Sequence, residues 1–361
     1  MDRTRSGKVG LGVWSLIVAL IALVVLTFLP TPYVIQRPGP VYNTLGTAAD
    51  KDGEQVPLIA VDGAETYETA GSLDLTTVQV VGNRQRTPSW FELALAWTDS
   101  SKAVVPLDSV FPEGVTTEER DAQNATLMVD SQHEATAAAL SELGYDTGAQ
   151  VAVVEAVEGT PADGVLETDD VITAIDGTAV DSATQLREKI QDAEGSAVEL
   201  TVLRGGEEKT VEITPEERTA EGKTTWVVGV TLRTDYDFPI DVTIQLDNVG
   251  GPSAGMMFAL GIIDTLTPGE LNGGKDVAGT GTIAADGTVG PIGGIRQKLY
   301  GARDAGAEYF LAPAANCDEV VGHVPDGLQV IRTGTLEESL DALSVIAEGG
   351  DVASLPTCTA S

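Results

Sequence analysis

Residues 250–266, GGPSAGMMFALGIIDTL, and 292–298, IGGIRQK, decide how this chain reads. The first stretch puts a serine, Ser253, on a glycine-rich turn, and nearly every residue of 254–266 after it is apolar. Such a run predicts a helix buried on most sides. Ser253 then stands at or near a helix N-terminus, where unpaired backbone N–H groups and the positive end of the dipole gather. A developing oxyanion needs that setting, and so does an ordinary N-cap serine; on this motif alone the two readings weigh the same. The second stretch puts Lys298 on a predicted helix over 295–305. Its inward stripe is Ile295, Leu299, Ala302 and Gly306, with Lys298 at the edge and Arg296, Gln297 and Asp304 pointing elsewhere. A lysine near an apolar face has a lowered pKa, and a neutral lysine can take a serine proton. A solvated surface lysine is the plainer reading of Lys298 by itself. Upstream, 240–246 alternates apolar and polar residues as a half-exposed strand does.

The two stretches together carry a family likeness. GPSAGMMFAL (251–260), followed by AGTGTIAADGTVGPIGGIRQKLYGARDAGAEYFLAPAAN (278–316), resembles the proteolytic domain of Lon, whose pattern is a serine in GPSAG and then TGEI-x-x-x-G-x-V-x-P-I-G-G-x-x-x-K. The likeness covers about 225–345. It implies an α+β domain in which Ser253 and Lys298 form the catalytic dyad. Thr280 matches the threonine of the TG pair and, with Gly251 and Pro252 of the turn, supports it. Likeness to Lon rings also implies a homo-oligomer. Two departures stand out. Lon commonly has an acidic residue directly before GPSAG, where this chain has Gly250 with Asp247 nearby but unaligned; the glutamate of TGEI is Thr282 here. No GxxxxGK[ST] loop occurs, and Gly273-Gly274-Lys275-Asp276 lacks its spacing. The expectation is an ATP-independent serine endopeptidase with no cofactor and no metal.

From about 149 the pattern turns β-rich. Residues 150–157 alternate, 159–164 form a turn, 170–177 form a strand ending in Asp-Gly, 182–193 form an amphipathic helix, and 197–204 with 209–214 form a hairpin across Gly205-Gly206. GTPADGVLETDDVITAIDGTAV (159–180) resembles the signature run of bacterial PDZ domains, with Asp169-Asp170 where Gly-Asp is commoner. The PDZ domain is placed at 125–216. The resemblance implies that extended polypeptides bind by strand addition beside the helix 182–193, and Leu143, Gly144 and Tyr145 are assigned as the loop that takes a chain's carboxylate. The domain then binds or gates substrates, or only spaces its neighbour.

Residues 31–124 read as an extracytoplasmic α/β region of unclear role. Strands are predicted at 56–61, an edge strand because of Pro57, and at 73–81. Helices are predicted at 89–97, with Ser89 as N-cap, and at 134–143. Asn124 sits in a chance glycosylation sequon. Residues 346–361 form a tail. The uncharged stretch 10–29 has the length of one hydrocarbon core, about 30 Å. Arg3, Arg5 and Lys8 precede it in a stub over 1–9, which puts the N-terminus in the cytoplasm. The expectation is an uncleaved signal anchor with the lipid bilayer as partner: a single-pass protein of the cell membrane, catalytic domain extracytoplasmic.

Composition excludes some classes. The formal net charge of -34 leaves no basic surface to neutralise phosphates, so nucleic acid is excluded as a partner. Cys317 and Cys358 are the two cysteines; without a CxxC pair they do not suggest zinc, and they pair as one disulfide or remain two thiols. Two rival functions remain. One is a catalytically inactive PDZ/Lon-like scaffold that only binds peptides. The other is a Ser-His-Asp hydrolase, since Gly251-Pro252-Ser253-Ala254-Gly255 fits G-x-S-x-G with Asp304 or Asp318 and His323 following in order.

Overall fold

The computed structural model describes residues 11–49, 53–180, 182–220, 223–246 and 249–359. The predicted stub 1–9 and Asp247 lie outside them. The apolar N-terminal stretch forms the helix Leu11–Phe28, 18 residues, or about 27 Å at the rise of an α-helix. Among the described residues no helix is long and apolar enough to cross a membrane. This corrects the expected transmembrane anchor, the bilayer contact through 10–29 and the single-pass membrane localisation.

The central sheet is built from both ends of the chain. Its strands run in the order Gln329–Thr333, Tyr309–Pro313, Asp276–Gly279, Ser72–Val81, Tyr33–Asn43 and Ala103–Pro106. The first four are parallel, and the last two join antiparallel. Ser72 therefore pairs with Asp276 across 204 residues of sequence. The region 31–124, whose role the sequence left open, supplies half of this sheet. The single edge strand expected at 56–61 is instead two short strands, Gln55–Pro57 and Ile59–Asp62, parted after Pro57. Ser89 caps Trp90–Ala96 in a capping box with Glu92.

Alternation within the parallel strands separates two cores. Leu73, Leu75, Val277, Leu311 and Ile331 face the helix Gly255–Leu266, in which every residue from Gly255 to Asp264 is buried. Met128, Ala135, Ala138 and Ala139 of the long helix Thr117–Glu142 cover that helix from outside. Ala278, Phe310, Ala312 and Val330 face the opposite way, onto Ile295, Leu299 and Ala302 of the helix Ile295–Ala305. Two helices thus approach from opposite faces of the sheet and meet at the carboxyl end of Asp276–Gly279, where open parallel sheets place their sites.

The PDZ region has its own sheet, ordered Glu207–Ile213, Val198–Arg204, Val171–Ile175, Gln150–Ala156, Val230–Asp235, and its own core of Val151, Ile172, Leu186, Leu200 and Val202. Asp169 adopts a left-handed backbone, φ 66°, which explains why glycine is the commoner residue there; aspartate is among the few others that accept it. Asp170 is buried and takes both prongs of the Arg204 guanidinium, at 2.8 and 2.7 Å. Cys317 and Cys358 form a disulfide, which ties the tail to the body.

Candidate active site

Ser253 stands two residues before the helix Gly255–Leu266 begins. Its backbone is held on both sides. Before it, the Gly251 N–H donates to the Asn124 carbonyl at 3.0 Å, and the Ser131 hydroxyl donates to the Pro252 carbonyl at 3.0 Å. After it, the Ser253 carbonyl accepts from the Gly281 N–H at 3.0 Å and from the Thr280 hydroxyl at 2.9 Å. Gly251 has φ 87°, the left-handed region that glycine adopts freely. Gly250 lies so close to the long helix that a Cβ there would come 2.8 Å from the Asn124 Cβ. That contact leaves no room for the acidic residue common at this place in Lon.

Lys298 crosses from the other face of the sheet. Its Nζ lies 2.8 Å from Ser253 Oγ and 2.8 Å from Thr280 Oγ1. The side chain is 2% exposed, and burial pulls its ammonium from 10.5 down to about 7. The lysine expected at the edge of its helix stripe is inside it. Gln297, expected to point elsewhere, is buried too, and Arg296 and Asp304 are exposed. A groove of about 460 Å³ opens beside the pair, lined by Tyr42, Leu75, Thr76, Val249, Gly250 and Gly293 among others. Ser253 and a neutral Lys298 at this distance can exchange a proton; Thr280 orients the amine while bonding the serine's own carbonyl.

The structure brings Ser253, Lys298, Thr280, Gly251 and Pro252 together. It does not bring His323 to them: the His323 Nδ1 lies 3.1 Å from the Val321 carbonyl, and Asp304 and Asp318 are exposed. Leu143, Gly144 and Tyr145 close the C-terminal end of the long helix. Leu143 is its C-cap and packs against the central core, and the Tyr145 N–H bonds the Leu140 carbonyl. The PDZ sheet has two edge strands, Glu207–Ile213 and Val230–Asp235, the second beside the helix Ala183–Asp192. Sequence reasoning had that strand inside the region 225–345. Its alternation of half-buried Val230 and Leu232 with exposed Thr231 and Arg233 was a strand signal, but alternation does not say which sheet receives the strand. Among the described residues no cluster of His, Cys, Asp and Glu could hold a metal.

Known proteins match the two halves separately. Residues 114–214 match the family model of the PDZ domain, and residues 242–345 match that of the Lon protease (S16) C-terminal proteolytic domain. Lon protease 2 of Bacillus subtilis (strain 168) is 33% identical over 111 residues, 31% of this chain and 19% of that protein. Lon protease 1 of Sorangium cellulosum (strain So ce56) is 39% identical over 93 residues, 25% of this chain and 11% of that protein. The chain therefore spans less than a fifth of the length of these curated relatives. Among solved structures, the PDZ domain of an SdrC-like protein of Listeria monocytogenes is 29% identical, covering 24% of this chain and 88% of that one, with a TM-score of 0.21. The two family models thus liken residues 114–214 to a PDZ domain and residues 242–345 to a Lon C-terminal proteolytic domain.

Proposed function

We propose that this chain is an endopeptidase working through a Ser253–Lys298 dyad, without cofactor or ATP. The observation that carries the reading is a buried lysine amine 2.8 Å from a serine hydroxyl. Neutral Lys298 takes the Ser253 proton as Oγ attacks the scissile carbonyl. The tetrahedral oxyanion is held by backbone N–H groups near Ser253. The Lys298 ammonium returns the proton to the leaving amine, which departs from the acyl-enzyme. Water activated by the again neutral lysine then releases the acyl group. Thr280 keeps Nζ on line through its 2.8 Å contact. The uncharged groove along Tyr42, Leu75 and Thr76 takes the polypeptide, and the PDZ domain binds or gates it as an added strand along Val230–Asp235. Cleavage of an unfolded protein with and without ATP tests the cofactor part. The expected rates agree; a strict ATP requirement contradicts it.

A further inference from the structure

The long helix Thr117–Glu142 touches the nucleophile turn and the PDZ exit through one line of residues. Asn124 and Ser131, two turns apart, hold the peptide units on either side of Gly251 and Pro252. One turn beyond Ser131, the Glu134 carboxylate is divided between two further elements. Its Oε1 accepts from the Tyr236 hydroxyl at 2.7 Å, and its Oε2 accepts from the Ala285 N–H at 2.7 Å. Tyr236 directly follows the PDZ edge strand Val230–Asp235. Ala285 lies in the turn of the hairpin Thr282–Ile283/Val289–Gly290, four residues after the Gly281 whose N–H bonds the Ser253 carbonyl.

These parts cannot shift independently. A Cβ at Gly255 would come 2.9 Å from Ser131 Oγ and 2.9 Å from Ile283 Cγ2. The long helix, the hairpin and the first residue of the nucleophile helix are therefore in direct contact. A cavity of about 360 Å³ opens at this junction, lined by Asp130, His133, Glu134, Arg187, Leu232 and Ala284 among others. A polypeptide lying along the PDZ edge strand reaches this cavity, beside Glu134.

We infer that Glu134 is a positioning residue for Ser253, the point at which the PDZ domain is tied to the nucleophile turn. The inference rests on Ser253 being the nucleophile. Without the carboxylate, the Ala285 N–H and the Tyr236 hydroxyl lose their shared acceptor. The hairpin and the long helix then part, and the peptide planes around Ser253 move with them. Small misplacements of a nucleophile lower the rate of the bound complex more than they weaken binding.

The test uses the full chain, a fluorogenic peptide, and a tight-binding peptide boronate to count active sites. Glu134→Ala is expected to lower kcat per titrated site about tenfold while KM stays within about twofold. Glu134→Gln, which keeps one acceptor oxygen, is expected to recover most of that loss. Tyr236→Phe, which removes only the PDZ arm, should fall between wild type and Glu134→Ala, and should add nothing when combined with Glu134→Ala. Wild-type kcat per titrated site in Glu134→Ala overturns the inference. So does a loss explained entirely by fewer titratable sites, which is a folding defect. Full activity in Ser253→Ala is a different outcome: it sinks the nucleophile reading, and this role with it.

Discussion

At the residue scale, the chemistry depends on one buried amine. Among the described residues no carboxylate pairs with Lys298, and its pKa is lowered by burial to about 7. In the proposed mechanism the neutral form is the base, so kcat/KM is expected to rise with pH through about 7 and then level off; a profile flat from pH 5 to 9 contradicts this. The same shift makes a stability prediction. The unfolded lysine titrates near 10.5 and the folded one near 7, so between those values the unfolded state binds more protons and stability rises with pH. Below about 7 both states are protonated, and the full cost of burying the charge is present. Lys298→Met is thus expected to melt higher than wild type at pH 6, with the gain shrinking toward pH 10; thermal melts at the two pH values measure it. Thr280→Val removes an oxygen that both receives the lysine amine and donates to the Ser253 carbonyl. It is expected to lower kcat by roughly 10- to 100-fold, with Thr280→Ser near wild type.

At the element scale, the helix Gly255–Leu266 is the pillar of the Lon-like region. Phe258 is fully buried between the sheet and the long helix, so Phe258→Ala is expected to lose about 3–5 kcal/mol in denaturant unfolding. This helix was legible because the run 254–266 is apolar all round, and the lysine helix because Ile295, Leu299 and Ala302 recur at helical spacing. Their meeting was legible only through likeness to Lon, since nothing in periodicity says that two helices on opposite faces of a sheet converge on one strand end. The strand at 73–81 was legible from its own residues, but its place in the sheet was not, because its parallel partner Asp276–Gly279 stands about 200 residues away and a local pattern does not encode a non-local pairing. Tyr33–Asn43, which pairs with it from the other side, was not read as a strand. The long helix was read only over its last turns, as part of the PDZ domain. Its alanine-rich face in fact packs on Gly255–Leu266, and a run of small residues does not disclose which neighbour it fits. The apolar N-terminal stretch was correctly read as helical, but among the described residues no helix is long and apolar enough to cross a membrane.

At the scale of the whole molecule, a PDZ unit with its own core sits between two chain segments that share one sheet. The C-terminal tail is tied to the body by Cys317–Cys358, 41 residues apart in sequence. A double Cys317→Ser/Cys358→Ser variant, or reduction of the bond, is expected to cost about 2–4 kcal/mol of stability, read as a lower denaturation midpoint with a steeper slope, because the unfolded chain is less constrained. The proposed dyad consists of two side chains, and one measurement tests both. Cleavage of an unfolded protein in ATP-free buffer is followed for wild type, Ser253→Ala and Lys298→Ala, with all three shown to be folded by their melting curves. The dyad predicts cleavage by wild type and losses of at least about 1000-fold in both variants. Cleavage retained by folded Ser253→Ala or Lys298→Ala contradicts it.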